Sequence, residues 1–563
     1  MNKAILLFAT LLSALFANAQ FPVLDWANSF GGSGTDMSRT IATDSQGNII
    51  TIGEFRQTVD FDPGSQVLNL TAISTSYFIQ KLSSDGALIW VKQLDADIGN
   101  VISLAVDGND NVLIGGHFAT YGDFNPGIDL TVLTSAGQSD IFILKLNANG
   151  DFVWVRQIGN TQEELCLTVT TDPTGDVYAA GRFNGTVDFD PLGGQHTLTS
   201  ESSSDGFVLK LTSDGAFSWV SQFPSLGSAL YTNQCLAVDN DGKAYFTGSF
   251  WATIDVDPGS GVLELASSGQ RDVFIVSLLA DGSLNWGKSI GNTGSDHCHS
   301  LAVDQNSNVY MCGSFAGSVD FNPGSGTHIL NSTGGSADYF VLKLDTQGEF
   351  KWVSSWNVAT CGNLAIDTNQ NVYLGGGFIG TTDFDPGMAQ HFLSSNSQSW
   401  DAFYLKLGIQ GQLIWATSIG SEQDEFCHDI VVGSAGSIYC AGYFESTCDF
   451  DPDLGSSLMI SSSGQEDAFV MKVHESVAQS INEHNLLGTS VYPNPTRGEV
   501  SISNPTDQQL TVYVYDVAGH VMGSKRIMPD SLIQLTLPEE DGFYIVRIIA
   551  LQQAETHVVL KTK

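Results

Sequence analysis

Basic residues are scarce in this 563-residue chain: 22 Lys and Arg stand against 61 Asp and Glu, a formal net charge of −39. A surface that negative repels phosphate backbones and anionic lipid headgroups, which excludes nucleic acid as a partner and leaves cations and neutral ligands open. Long apolar runs are missing as well. Beyond residue 20 no stretch reaches the roughly 18 uninterrupted apolar residues that a membrane helix needs. Eight cysteines are too few for a dense disulfide framework. Cys166, Cys298, Cys361 and Cys427 occupy one equivalent place in different repeats, and such places are expected to lie too far apart to bond. They read as small buried residues; a Cys298–Cys312 bridge within one hairpin is the conceivable exception. Nucleophile elbow, zinc-protease helix, phosphate loop and dinucleotide fingerprint are all absent.

Glycine and aromatics are plentiful, with 59 Gly, 32 Phe and 10 Trp at 42% apolar and 15% charged residues. That balance suits an all-β protein rich in tight turns, and supplies ample surface to bury. Residues 1–19 read as a secretory signal peptide: Lys3 gives the positive start, Ala4 to Phe16 the apolar run, and Ala17-Asn18-Ala19 the cleavage site.

Two markers repeat seven times. One is an Asp-Phe-Asp-Pro-Gly motif, beginning at Asp60, Asp123, Asp188, Asp255, Asp320, Asp383 and Asp449, with Asn125 and Asn322 as the variants at its third place. The other is a tryptophan, at 26, 90, 154, 219, 286, 352 and 415. Both recur every ~65 residues, the signature of a repeat architecture. Each unit reads as four strands, A to D. Strand A is apolar and ends at an Asp, B follows a polar turn, C has Phe at its centre, and D carries the Trp. The first unit is preceded by an orphan strand D around Trp26, and the last stops after strand C at Phe469. An open solenoid gains nothing from that offset, whereas a closed ring uses it. The expected fold is therefore an all-β, seven-bladed propeller over residues 20–474, its last blade completed by the N-terminal strand.

The units resemble the repeats of exported bacterial β-propellers, and the Asp85-Gly86…Trp90 ending faintly resembles quinoprotein blades. Fold alone does not choose among enzyme, binder and scaffold. A polar linker over 475–488 leads to Tyr492, Asn494, Pro495 and Gly498 in a Tyr-Pro-Asn-Pro…Gly opening, then Tyr515-Asp-Val-Ala-Gly519 and Gly542-Phe-Tyr-Ile-Val546. Residues 489–563 closely resemble the type A sorting domain of the type IX secretion system of Bacteroidetes. That resemblance implies a small β-sandwich, handling by the type IX machinery, and passage through the periplasm to the outer surface or the medium of a Gram-negative cell.

Chemistry is harder to find. Whatever every repeat shares builds the repeat, and a single site must break the symmetry. The Asp-Phe-Asp-Pro-Gly motif is first a turn. Its sharper reading is calcium, with Asp60, Asp62, Asp123, Asp188, Asp190, Asp255, Asp257, Asp320, Asp383, Asp385, Asp449 and Asp451 as candidate ligands, though two carboxylates per repeat are too few alone. Strand-C lysines such as Lys145 and Lys406 are expected to pair with Asp side chains of their blades. The start of A, end of B, start of C and end of D all reach one face, which is rich in loops. Three extra tryptophans, Trp251, Trp356 and Trp400, belong to it and suit sugar stacking, or else cover loop cores. His297 and His299, with His428 and Asp429 two repeats on, make a weak zinc candidate there. The leading expectation is a non-catalytic binder or scaffold for glycan, extracellular protein or polymer. A secreted hydrolase with paired carboxylates is the alternative.

Overall fold

The computed structural model describes residues 20–477 and 490–561, apart from residues 202, 225–234, 334–336, 358–359, 397–398, 434–435, 452–456, 493–498, 507, 516–520, 530, 538–541 and 551–552. It divides into two compact units, one spanning Pro22–Glu475 and one holding the C-terminal strands. The described elements are strands throughout.

In the larger unit each repeat forms a four-stranded antiparallel sheet in the order A-B-C-D. The fifth repeat is representative: His297–Val303, Val309–Phe315, Asp338–Leu344 and Phe350–Trp356. Strands B and C are buried on both faces, hence their unbroken apolar runs. The first two repeats are fused by one long strand, Leu88–Val106, which serves as D of one and A of the next. The last sheet is completed from the far end of the chain. Gln20–Phe30 is its outer strand, beside Met459–Val477, Ile438–Asp449 and Glu425–Val432. The sheets form a β-propeller around a ring of inner strands.

Side chains explain why the ring holds. Strand A of most repeats carries a bulge, after Ser38, Cys166, Cys298, Cys361 and Cys427. Beyond it a backbone N–H turns toward the preceding sheet. There Val169 N donates to Ser103 Oγ at 3.0 Å and Leu364 N to Ser300 Oγ at 3.4 Å. At the junction of last repeat and first, Asp429 does the same work, accepting Ile41 N at 3.0 Å and Thr40 Oγ1 at 2.7 Å.

The marker tryptophans act at the outside. Each indole donates to the C–D turn of the next repeat, as Trp90 to Ala148 O at 3.2 Å and Trp286 to Thr346 O at 3.0 Å. Gly150 lies under the Trp90 ring at φ +77°, where a Cβ would meet the indole at 3.1 Å. Trp26 closes the cycle on Ser84 O of the first repeat, and Trp415 uses the Glu475 carboxylate.

The strand-C lysines pair as expected in the first three repeats, whereas Lys406 reaches the Glu475 carboxylate of the next repeat at 2.7 Å and Lys343 donates to Gln370 Oε1 at 2.9 Å. Lys81 reaches Asp44 and Lys145 reaches Asp107, both at 2.8 Å and both buried. Burial by itself would raise the Asp107 carboxyl, but the hydrogen bonds from Lys145 and Asn111 outweigh it and hold it below the usual range.

The cysteines are buried, as small apolar residues would be. All eight are unbridged. Cys298 and Cys312 are not joined, because Cys298 Sγ points at main-chain oxygens, Ser300 O at 3.6 Å and Cys312 O at 3.5 Å.

The C-terminal unit has two sheets around one apolar core that includes Ile502, Val512, Val514, Val546 and Ile548. Inward and outward residues alternate along Glu499–Asn504 and Leu510–Tyr515, as in a sandwich. Tyr492 ends the strand Ser490–Tyr492. Asn494, Pro495, Gly498 and the signal segment 1–19 lie outside the described residues.

Candidate functional site

The repeated acidic motif is occupied with its own backbone. Asp60 Oδ1 accepts Asp62 N and Leu68 N, and Asp62 Oδ1 accepts Gly64 N. The same bonds recur from Asp123, Asp188, Asp255, Asp320, Asp383 and Asp449, and at the third place from Asp190, Asp257 and Asp385. Asp451 donates its N–H to Asp449 Oδ1. The Phe between the two acids enters the core, where Phe61 lies 4.8 Å from Phe78 and 5.3 Å from Phe55. The motif is thus a self-capped turn with an aromatic plug. Among the described residues no three His, Cys, Asp or Glu side chains converge as a metal would require.

Symmetry breaks at the inner rim of the loop-rich face. In strand B the residue before Phe55, Phe118, Phe183, Phe250, Phe315, Phe378 or Phe444 lies there, and it differs in every repeat but two: Glu54, His117, Arg182, Ser249, Ser314, Gly377 and Tyr443. Arg39 donates to Glu54 at 3.0 Å, and Arg182 to Glu163 at 2.9 Å. The rim histidines stay apart. His297 meets Ser249 Oγ at 3.3 Å, His299 meets Ser314 Oγ at 3.2 Å, and His428 donates from Nδ1 to Ser38 O at 2.8 Å. Burial lowers His117, His299 and His428 to about 4, so all three are neutral at pH 7. The imagined zinc site does not assemble: each of these rings is engaged with its own neighbour, and Asp429 is spent on Thr40 and Ile41.

The three candidate tryptophans part company. Trp251 is 43% exposed, with the Arg271 guanidinium 5.4 Å from its ring. Trp400 is half-buried two repeats further on, its N–H held by Asp424 Oδ1 at 3.0 Å. Trp356 is no platform. It is 4% exposed, packs in the core of its repeat and donates to Phe384 O at 2.6 Å. Its place at the very end of strand D, where the chain still faces the core, accounts for the difference.

The structure adds aromatics that sequence reasoning passed over. Phe426, His428 and Tyr443 are half-buried and touch, Phe426 lying 5.1 Å from His428 and 6.5 Å, nearly parallel, from Tyr443. Trp400 joins them over Gly377, where a Cβ would meet Phe426 at 2.6 Å and Trp400 at 3.3 Å. The missing side chain at Gly377 is the signal, visible once the strand-B endings are read as a column. Carboxylates border this group. Glu445 pairs in register with Glu466; burial and then Glu466 and Asp424 raise the Glu445 carboxyl, and burial raises that of Glu466 against the pull of Thr35 and Arg39. The result is an aromatic patch with an acidic margin, suited to the apolar face and hydroxyls of a sugar or to a cation.

Residues 490–561 match the family model described as the secretion system C-terminal sorting domain. The C-terminal unit is a sorting domain. It marks this chain for secretion to the cell surface or the extracellular space, and implies handling by type IX machinery. Curated relatives are similar to part of the chain. An uncharacterized WD repeat-containing protein of Acanthamoeba polyphaga mimivirus is 22% identical over 499 residues, covering 74% of this chain and 36% of its own length. The regulatory protein FlaEY of Caulobacter vibrioides is 27% identical over 175 residues, 30% of this chain and 18% of its own. The chain thus spans well under half the length of either. Among solved structures, the Dos1 propeller aligns over 84% of this chain and 94% of its own at 8% identity and a TM-score of 0.31. A Bacteroides thetaiotaomicron protein of unknown function aligns over 68% and 98% at 11% identity and a TM-score of 0.19. No helix among the described residues is long and apolar enough to cross a membrane.

Proposed function

We propose that the propeller is a non-catalytic binding module, delivered to the cell surface or the medium, that holds a glycan through the aromatic patch of its loop-rich face. The observation that carries this is the cluster of Trp400, Phe426, His428 and Tyr443 over Gly377, at a position where other repeats place single polar or charged residues. Aromatic faces stack on the C–H face of a sugar ring, while the neighbouring carboxylates accept hydroxyls. A net charge of −39 favours neutral or cationic polymers over anionic ones. Residues 1–19 as signal peptide, seven blades over 20–474 and a linker over 475–488 complete the reading. A glycan array and isothermal titration with the purified chain test it. Trp400→Ala and Phe426→Ala should abolish retention without lowering the melting midpoint by more than a few degrees, and Trp251→Ala should weaken extended ligands only. An array without a hit for neutral or amino sugars counts against it.

One observation favours the hydrolase alternative. Glu445 and Glu466 face each other across one strand pair with raised carboxyls, which is the raw material of a two-carboxylate glycosidase. Turnover of a bound glycan that disappears in Glu445→Gln and Glu466→Gln would move the assignment to an enzyme.

A further inference from the structure

Two cysteines from different repeats meet across the seam between neighbouring sheets. Cys312 lies in strand B of the fifth repeat, Val309–Phe315, and Cys361 in strand A of the sixth, Thr360–Ile366. Cys312 is 0% and Cys361 8% exposed, and Cys312 Sγ reaches across the seam to the carbonyl oxygen of Gly362, the residue after Cys361, at 3.9 Å. A bulge follows Cys361, and both cysteines belong to one buried apolar cluster that joins residues of the fifth and sixth repeats.

Equivalent seams give the spacing. Gly115 and Gly375 hold the place of Cys312 in their repeats, and Cys166 and Cys427 hold the place of Cys361 in the repeats that follow. A Cβ on Gly375 would lie 3.4 Å from Cys427 Cβ and 2.6 Å from its Sγ; one on Gly115 would lie 3.2 Å from Cys166 Sγ. Disulfide-bonded cysteines hold their Cβ atoms about 3.5–4.5 Å apart. Thr247 occupies the same place in the fourth repeat, and its hydroxyl crosses the seam to Met311 Sδ of the fifth at 3.8 Å while donating to Phe274 O at 2.6 Å. The seam therefore brings the two side chains together wherever it recurs, and the fifth-to-sixth seam is the one where the sequence puts a thiol on both sides.

We infer that Cys312 and Cys361 form a disulfide in the exported protein, stapling the fifth blade to the sixth. Export carries the chain into surroundings where dithiols meet disulfide oxidants. In the exchange the Cys312 and Cys361 S–H bonds are lost and one S–S bond forms. Two electrons and two protons pass to a disulfide of the oxidant, whose own S–S bond breaks to give two thiols. Both sulfurs are buried in the finished ring, so the exchange belongs to folding, before the seam closes. Cys298 lies in the same hairpin as Cys312 but in register with Gly313, and its sulfur is directed to Ser300 O and Cys312 O.

The full chain, purified from the medium without reductant, is denatured and alkylated, and its labelled thiols are counted by mass before and after reduction. Two more labels after reduction are expected, attributable to this pair. Trypsin cutting at Lys343 and Lys351, with Asp-directed cleavage at Asp304 to separate Cys298 from Cys312, should yield one linked species joining the Cys312 and Cys361 peptides. Cys312→Ser should release Cys361 for labelling and remove the drop in melting midpoint that reductant causes in the parent protein. Eight labels before reduction, or a map without the Cys312–Cys361 link, overturns the inference. The map is read on the parent protein, so it stands even if the serine variant folds poorly.

Discussion

Ring closure depends on a buried carboxylate, and that makes it sensitive to pH. Asp429 in the last repeat accepts Ile41 N and Thr40 Oγ1 from the first, and it is 2% exposed. Burial pushes its carboxyl up to about 6 from 3.8, against the pull of its hydrogen bonds to Ile41 and Thr40. A carboxyl raised on folding contributes fully below its unfolded value, and the contribution is lost as pH rises through the folded one. The window here runs from about pH 4 to pH 7. Two pH units at ~1.4 kcal/mol each make the ionised carboxylate at pH 8 a loss of ~3 kcal/mol relative to pH 4.

Two substitutions separate the hydrogen bond from the charge. Asp429→Asn keeps an acceptor for Ile41 N and cannot ionise. It should match the parent near pH 4.5 and exceed it by up to ~3 kcal/mol at pH 8. Asp429→Ala removes the acceptor and strands a buried N–H, a loss of about 1–3 kcal/mol at pH 4.5 that shrinks or reverses by pH 8. For a unit of 454 residues, from Pro22 to Glu475, unfolding entropy near ~1 kcal/mol/K converts ~3 kcal/mol into ~3 °C. The assay is the melting midpoint of each variant against the parent at each pH. The shared response of Glu164, Asp296, Glu425 and Asp467, also raised by burial to about 7, 6, 8 and 6, then cancels. Asn and parent curves that run parallel from pH 4.5 to 8 would refute the reasoning.

Further outcomes follow from the same structure. Lys145→Met leaves Asp107 charged and buried, and should lower stability by about 3–5 kcal/mol in thermal unfolding; adding Asp107→Asn should recover part of that, because the amide oxygen still accepts Asn109 N and Asn111 N. Chelator should leave the melting midpoint unchanged, since the motif aspartates are engaged by backbone N–H groups; a drop of several degrees would return calcium to the Asp60/Asp62 turns. Gly377→Val should lose glycan retention by displacing Phe426 and Trp400, with the C-terminal unit unaffected. Deleting residues 490–561 should keep the propeller from reaching the medium, measured by immunoblot of cell and medium fractions.

Much of the propeller was legible because repetition turns one sequence into many aligned observations. The Trp and Phe columns marked strands D and C, and the unpaired ends at Trp26 and Phe469 placed the N-terminal strand beside Met459–Val477, where it lies. The seam contacts were not legible. A bulge in strand A depends on backbone register, which no residue type announces, so Ser103 and Ser300 carried no signal and Asp429 suggested a zinc ligand rather than a seam contact. Trp356 failed for a similar reason: position near a loop says which end of a sheet a residue occupies, but burial depends on which way its side chain turns.

The same logic locates function. The polar groups that repeat are committed to holding the fold together. Motif aspartates close turns, strand-C lysines sit in buried pairs, and marker tryptophans bind the next blade. A single ligand cannot be read by groups already committed in this way, nor by a surface that looks alike from every blade. The inner rim of the loop-rich face meets both conditions, because its strand-B endings run from Glu54 through Gly377 to Tyr443 without a common chemistry. The Phe residues fill the B–C core, while these endings range from buried, at Ser249 and Ser314, to half-buried, at Glu54 and Tyr443. Variation at the rim beside the contacting rings of Phe426, His428 and Tyr443 is what supports the proposed binding site there.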